Sequence, residues 1–227
     1  YLTDGVFQDQ ADIDAWFEHT NQSAMGSNKA QTKPGDIRYK DISGPDGVPD
    51  GKVDATYDRV YLGSQIPKYT FGLSFNAEYK GFDLNLFLQG VAGVQGMLSN
   101  YAGWALWSEG NIQKWQMEEA FDPENPVRYP KYPRIENLGN TIGVNTQTSD
   151  FWVRNAAYLR IKNIQLGYTL PKSLLNGTFI SSIRVYAATE NPYTFHSFPD
   201  GWDPEISTGG QFYPVLRNFT FGLNLKF

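Results

Sequence analysis

The most constraining feature of this sequence is a run of strict two-residue alternation between Lys68 and Lys80. Every second residue from Tyr69 to Tyr79 is apolar, and the residues between them are small, polar or charged. Successive side chains of a β-strand point to opposite faces of a sheet, so the pattern predicts a strand with one apolar and one polar face. The segment is therefore expected to border two different environments.

Four further runs alternate in the same way and predict four more strands. In the run from about Phe151 to Leu170 the apolar phase changes between Ile161 and Ile164. This change predicts a β-bulge near Lys162-Asn163, because one extra residue exchanges the two faces. The four runs cover Phe82–Gln89, about Phe151–Leu170, Ile183–Ala188 and Phe219–Phe227.

Short and long connections alternate along the chain. Lys80-Gly81 and the segment 171–180 are short, and one helical turn is predicted at Lys172–Leu175, whereas 97–150 and 191–214 are long. Bacterial outer-membrane barrels connect their strands by short periplasmic turns and long outside loops. The chain is therefore predicted to be all-β, with antiparallel strands that form a section of a large transmembrane β-barrel with long extracellular loops.

The predicted organisation has two parts. Residues 1–66 are expected to form an extracellular segment with an acidic, glycine-rich turn, and residues 67–227 to carry the five strands and both long loops. The smallest single-chain barrels have about 8 strands, and open sheet edges in lipid leave backbone groups unpaired. The first and last strands are therefore expected to pair with strands outside this sequence. The sequence begins at Tyr1 with no Met and no leader pattern, so we expect a removed signal or a natural start elsewhere.

A soluble β-sandwich is the alternative, because its strands alternate in the same way over a core. The functional counterpart is a β-rich carbohydrate-binding module that uses loop tryptophans. Rings at the strand ends, as in aromatic girdles, and the length of the 97–150 connection favour the barrel.

Several other classes of function are excluded. A formal net charge of -5 and a pI near 5.0 disfavour a nucleic-acid surface, which needs clustered Lys and Arg. The mean hydropathy is -0.45 and no apolar run approaches the ~18 residues of a spanning helix. The two histidines, His19 and His196, stand in no metal or triad motif, and no G-x-S-x-G, H-E-x-x-H or Walker pattern occurs. The chain is therefore expected not to be an enzyme.

An ordered set of motifs is similar to the C-terminal part of SusC/RagA-like TonB-dependent outer-membrane transporters. These motifs recur in family order from about residue 30 to the last residue, and they include a glycine-aspartate stretch, a strand entry, a hairpin and the most recognisable strand of the family. The segments are Gly35–Gly44 with Asp50–Asp54, Gly63–Gly72, Tyr79–Leu84 with Phe87–Gly90, Ala157–Pro171, Asp203–Glu205, Tyr213-Pro214 and Phe221–Phe227.

The resemblance implies a barrel of about 22 strands around a plugged lumen in the bacterial outer membrane. It further implies contact with the rest of the barrel, with the plug and with outer-membrane lipid. A SusD-like surface lipoprotein is the implied lid, TonB the implied energy donor acting through an N-terminal region that precedes this segment, and oligosaccharides or peptides the implied cargo.

The acidic segment is the best candidate for a cation site. Carboxylate and hydroxyl oxygens on a glycine-kinked loop suit a hard cation such as Ca²⁺ or Mg²⁺, although no frame of the segment satisfies the EF-hand pattern. The segment also departs from the family spacing by inserted residues between Pro45 and Pro49, and a solvated acidic turn is the alternative. The candidate ligands are Asp41, Ser43, Asp46, Asp50, Asp54 and Asp58, of which Asp41, Asp50 and Asp54 are preferred.

Three aromatic residues are singled out for contacts outside the chain. Trp104 and Trp107 lie in the long 97–150 loop, where indole faces are candidates for contact with cargo or with the lid, and loop packing is the alternative. Phe227 ends an alternating aromatic strand, which resembles the signal that the outer-membrane assembly machinery reads. An ordinary closing strand is the alternative for that residue.

Overall fold

A computed structural model of the chain describes residues 1–137, 143–206 and 213–227. The described chain divides into two compact units. The loop unit contains Tyr1–Gly63 and Gly96–Arg154, and the sheet unit contains Ser64–Gln95, Asn155–Ile206 and 213–227. In chain order the elements are β1 (Thr3–Val6), α1 (Gln10–His19), β2 (Ile37–Tyr39), β3 (Tyr69–Tyr79), β4 (Phe82–Ala92), β5 (Gln95–Met97), α2 (Asn100–Gly103), α3 (Lys114–Glu118), β6 (Val153–Asn155), β7 (Tyr158–Thr169), β8 (Ser182–His196) and β9 (Asn218–Lys226). Short 3-10 turns lie at Ser23–Met25, Trp107–Glu109, Val144–Thr146 and Lys172–Leu174.

The sheet unit is a five-stranded antiparallel meander in the order β3-β4-β7-β8-β9. Strands β3 and β4 pair without a break from Tyr69 opposite Ala92 to Tyr79 opposite Phe82, around the turn at Lys80-Gly81. All five predicted strands are present in the predicted order, which confirms the antiparallel all-β fold. The five strands do not close a barrel within this chain, and β3 and β9 form the two edges of the sheet.

The predicted bulge is present where the apolar phase changes. Phe87 lies opposite Asn163 and Leu88 opposite Ile161, so Lys162 is the extra residue in β7. The irregularity continues into β8, where Asn191 adopts a left-handed conformation with φ 50. Strand β8 keeps the same phase across this irregularity, with Val185 before it and Tyr193 after it on the apolar face, and runs on to His196, into the segment predicted as the second long loop.

The sheet has one apolar and one polar face along all five strands. Exposed apolar side chains follow the apolar face from β3 to β9, and Phe75 is 50% and Phe221 82% exposed. Directly opposed pairs keep the apolar residues together across the strands, for example Leu86 opposite Ile164 in β4 and β7. Because aromatic and branched side chains pack across neighbouring strands, this continuity stabilises the pairing register.

Two glycines in the sheet lie beneath aromatic rings of the neighbouring strand. Phe71 lies directly opposite Gly90 on the apolar face, and Tyr186 directly opposite Gly222 on the polar face. A Cβ at either glycine would collide with the opposing ring. These glycines are therefore required for close approach and not for backbone freedom.

The loop unit, in contrast, has a buried core. Strand β1 pairs with β2, and helix α1 begins at Asp9, whose side chain accepts a hydrogen bond from the backbone N–H of Asp12 at 2.8 Å. Described residues of 96–154, in the same unit, pack against this N-terminal part. The largest fully buried apolar residues of the loop unit are Trp152, Tyr39, Phe7, Ile13, Met25, Ile37 and Leu98.

Among the residues that the structure describes, no helix has both the length and the apolarity to cross a membrane.

Candidate functional site

The acidic segment folds into a compact loop that is organised around Asp58. This carboxylate is fully buried and accepts hydrogen bonds from three backbone N–H groups, those of Ile42 at 2.8 Å, Ser43 at 3.2 Å and Asp54 at 2.8 Å. Asp58 therefore holds the two ends of the loop together, and the hydrogen bonds from backbone N–H groups stabilise the negative charge of the buried carboxylate.

Other carboxylates of this segment also accept from the backbone. Asp41 accepts from the N–H of Gly51 at 2.6 Å, Asp50 from that of Lys52 at 2.9 Å and Asp54 from that of Thr56 at 2.7 Å. Asp46 is exposed and Ser43 half-buried. Within the described ranges, no group of three or more His, Cys, Asp or Glu side chains is close enough together to hold a metal ion.

One oxygen in this loop stands out. Oδ1 of Asp41 is buried, and it has no hydrogen-bond partner in the part of the chain that the structure describes. A buried acceptor without a partner is costly, and a cation is one way to satisfy it. The predicted Ca²⁺ or Mg²⁺ site stays a prediction, with Asp41 as the residue that best fits it.

The two predicted contact tryptophans lie next to each other. Their rings meet edge to face with centroids 4.8 Å apart, but Trp104 is only 8% exposed whereas Trp107 is half-buried. Trp107 is therefore the one of the two with the more accessible ring. The backbone around it is unusual, because Leu106, Ser108 and Glu109 all have positive φ, at 58, 48 and 65.

Next to Trp104 in the fold lies an aromatic cluster that the sequence did not predict as a core. Tyr132 stands at its centre, with ring contacts to Trp115 at 5.4 Å and to Trp152 at 5.6 Å. The hydroxyl of Tyr132 accepts from the backbone N–H of Ala105 at 2.7 Å, next to Trp104, and burial raises the pKa of Tyr132 to about 12. The cluster therefore fixes the loop that presents Trp107.

A buried charged network in the loop unit was missed by sequence reasoning. Asp36 is fully buried and pairs with Arg134, which also pairs with Glu136. The side chain of Asn145 donates to both acids, at 2.8 Å to Asp36 and at 2.7 Å to Glu136. Burial raises the pKa of the Glu136 carboxyl, while Arg134 and Asn145 act in the opposite direction. Asp36 lies 98 positions from Arg134 and 109 from Asn145 in sequence, so no local motif indicates the network.

An ion pair joins two strands of the sheet unit on its polar face. The guanidinium of Arg184 in β8 donates to Asp83 in β4 at 2.8 and 2.5 Å. The pair passes over Gly167 of the intervening strand β7, where a Cβ would collide with both charged groups. The alternation over Ile183–Ala188 is enough to place Arg184 on this face, but it does not indicate Asp83 as the partner.

Comparison with known proteins places this geometry in context. No family model matches the chain. The chain is 31% identical over 208 residues to TonB-dependent receptor P3 of Formosa agariphila, an alignment that covers 86% of this chain and 19% of the relative. It is also 35% identical over 88 residues to TonB-dependent receptor SusC of Bacteroides thetaiotaomicron, which covers 37% of this chain and 9% of SusC.

The resemblance to the SusC/RagA-like TonB-dependent receptors is confirmed. The structure of the RagAB peptide importer in its "open-open" state superposes on this chain with a TM-score of 0.59 and 26% identity, and covers 82% of this chain and 20% of that one. The chain spans about a fifth of the length of receptor P3 and of the RagAB importer chain.

Two of the motifs that carry the resemblance lie on strands of the sheet unit. The Ala157–Pro171 motif is β7 with its flanks, and the Tyr79–Leu84 motif is the turn between β3 and β4. The Gly35–Gly44 motif, in contrast, contains β2 and the buried Asp36 of the loop unit.

Proposed function

We propose that this chain forms part of the barrel wall and of the outside loops of a TonB-dependent importer in the bacterial outer membrane. The observation that carries the proposal is the exposed apolar face that continues over all five strands. Contiguous apolar surface of this extent marks an interaction with lipid or with another protein. Alternation of an apolar outward and a polar inward side chain is the pattern of a strand in an outer-membrane barrel.

The lengths of the connections between the strands also support a barrel wall. The turns after β3 and β7 are short, whereas the chain between β4 and β7 and that between β8 and β9 is long. In an outer-membrane barrel this places the two short turns in the periplasm and the long connections outside. The edges at β3 and β9 are then the positions at which the remaining barrel strands pair.

The proposed partners follow from the relatives. The proposal includes a SusD-like surface lipoprotein as lid, TonB as energy donor, a plug inside the barrel, and oligosaccharides or peptides as cargo. It involves no catalysis. Uptake of labelled oligosaccharides and of labelled peptides by cells that carry the complete protein distinguishes the two classes of cargo.

Three smaller proposals concern single sites. Trp107 is proposed to contact cargo or lid, since its ring is the more accessible of the two predicted tryptophans. Phe227 is proposed as part of the assembly signal. Asp41 is proposed to bind Ca²⁺ or Mg²⁺ together with neighbouring oxygens, which would rigidify the outside loop, and a rise in melting temperature on addition of Ca²⁺ that Asp41→Asn abolishes is the expected result.

The experiment for the main proposal compares two neighbouring residues of β3 that lie on opposite faces. Phe75→Lys, in the middle of the apolar face, is expected to destabilise the assembled protein by ~2–4 kcal/mol, because the charge then lies in the hydrocarbon. Asn76→Lys places the charge on the polar face and is expected to have little effect. Folding of the complete protein into lipid vesicles, followed by heat-modified electrophoretic mobility, measures both.

Equal folding of the two variants would contradict the lipid assignment. If both variants remained soluble and folded without detergent, the carbohydrate-binding module would become the better explanation. An exposed apolar sheet face of this size already disfavours that alternative, because a soluble module needs to cover it.

A further inference from the structure

The sheet unit buries one arginine completely. Arg160 of β7 is 0% exposed, and among the described residues only Trp152 is a larger side chain that is fully buried. It lies opposite Gln89 of β4 and Thr194 of β8, on the polar face and near the end of β7 that is remote from the β7–β8 turn. A buried guanidinium requires compensating charge and hydrogen bonds.

Two carboxylates from the connection that follows β8 provide that charge. Asp203 accepts from the Nη2 atom of Arg160 with both oxygens, each at 2.6 Å, and Glu205 accepts from Nη1 at 2.5 Å. The strands supply the remaining contacts. Nε donates to the hydroxyl of Thr194 at 2.8 Å, and the guanidinium lies 5.1 Å from the ring centre of Tyr158.

The two acids are themselves arranged for this contact. The backbone N–H of Glu205 donates to Asp203 at 2.9 Å, and the hydroxyl of Tyr158 donates to the other oxygen of Glu205 at 2.6 Å. Lys162 lies 3.7 Å from Glu205 and balances the second negative charge. The connection also contains its own turn, from Asp203 to Ile206, and the buried side chain of Phe198.

We propose that residues 197–206 form a strap that Arg160 latches to the polar face of the sheet. The strap therefore folds inward over the channel side and does not extend outward from the barrel rim. The inward direction rests on the proposed function, because it is the barrel that makes the polar face the channel side. The latch itself, the attachment of the strap to β7, rests only on the contacts of Arg160.

The charges favour two positions of the strap, one attached to Arg160 and one released from it. When the strap is in place, both Nη atoms of Arg160 donate to carboxylates, and when the strap leaves, water has to reach these atoms. Intermediate positions leave a buried charge without a partner and are disfavoured. The strap also forms one wall of a cleft of about 420 Å³ that is lined by Arg160, Thr194, His196, Asp203, Val215 and Arg217, so its release removes that cleft.

Hydrogen exchange of the complete protein in detergent tests the latch. Replacing both acids, Asp203→Asn with Glu205→Gln, leaves the sequence of every strand unchanged. We expect amide exchange within 197–206 to accelerate by about tenfold or more, since charge-assisted hydrogen bonds are lost, while β4 and β9 keep their protection. Exchange of the strap at the wild-type rate would overturn the proposal.

Asp83→Asn is the matched control. It removes the other carboxylate–arginine pair of the polar face, but that pair joins two strands and does not touch the strap. We expect strap exchange to stay at the wild-type rate in this variant, and acceleration there equal to that in the double variant would also overturn the latch.

Arg160→Lys gives an independent check if the double variant does not fold. Lysine keeps the positive charge but cannot donate to both carboxylates and to Thr194 in the fork geometry, so a smaller acceleration confined to 197–206 is expected. No acceleration in Arg160→Lys would contradict the latch. Failure of the barrel proposal appears elsewhere, in the comparison of lysine at Phe75 and at Asn76, and leaves the strap measurement interpretable.

Discussion

The two units of this chain gain their order in different ways. The loop unit buries a mixed core in which aromatic rings and charged side chains from distant segments meet, and its strands are short. The sheet unit has long strands whose apolar side chains stay exposed in this chain. Backbone pairing and cross-strand contacts order the sheet unit, whereas side-chain burial orders the loop unit. The loss of stability should therefore differ most between the two units when a large side chain is truncated.

The largest difference is expected for truncation of an aromatic ring. Trp152 is fully buried in the loop unit, so Trp152→Ala is expected to destabilise that unit by about 3–5 kcal/mol. Phe221→Ala is the matched change on the exposed face of β9, and in detergent it is expected to change stability far less. Regional hydrogen exchange measures both, and equal effects would show that the two units do not differ in this way.

A smaller effect is expected from neutralising one carboxylate in each unit. Asp36 accepts from Arg134, from Asn145 at 2.8 Å and from the backbone of Lys33 at 2.8 Å, and it is fully buried. Asp36→Asn is therefore expected to cost about 2–3 kcal/mol in the loop unit, since a donor replaces an acceptor.

Asp83→Asn serves as the comparison in the sheet unit. Its pair with Arg184 keeps contact with solvent, and the expected loss is about 1 kcal/mol or less. Chemical denaturation monitored separately for the two units gives the values, and an equal or larger loss for Asp83→Asn would mean that burial does not decide the outcome.

The smallest expected effect is a pH dependence confined to the loop unit. Burial raises the folded pKa of Glu136 above its ordinary value of 4.5. The protonated carboxyl therefore contributes stability that is fully present below 4.5 and is lost as the pH rises through the raised folded pKa. Glu136→Gln is expected to remove this slope. A melting curve of the loop unit that depends on pH in the same way in Glu136→Gln would contradict the assignment.

The sequence predicted the sheet unit much better than the loop unit, for a physical reason. Alternation is a local property, so the strands, the turn at Lys80-Gly81 and the bulge at Lys162 could all be inferred from neighbouring residues. The packing of described residues of the 97–150 loop with the N-terminal segment could not, because it depends on contacts such as that of Arg134 with Asp36, which no periodicity encodes. The extension of β8 to His196 was missed because the bulge at Asn191 interrupts the pattern.

Only part of each candidate site could likewise be predicted from the sequence. Trp104 and Trp107 are separated by two residues and have the same chemistry, so nothing in the local pattern distinguishes the buried ring from the accessible one. The segment around Trp104 is held by Tyr132, whose hydroxyl accepts from the backbone N–H of Ala105. The acidic loop was recognised as a unit from its composition, but the role of Asp58 as acceptor of three backbone N–H groups depends on the folded loop.

The rings that cover Gly90 and Gly222 have a consequence for how the sheet assembles. A slip of one residue between two strands exchanges their faces, but a slip of two residues preserves the apolar and polar pattern and is not opposed by it. With such a slip, Phe71 would meet Leu88 or Ala92 in place of Gly90, and Tyr186 would meet Thr220 or Asn224 in place of Gly222. Each ring fits flat only over a residue without a side chain. The two glycines thus help to set the strand register, because they disfavour two-residue slips, which the alternation of apolar and polar residues by itself would permit.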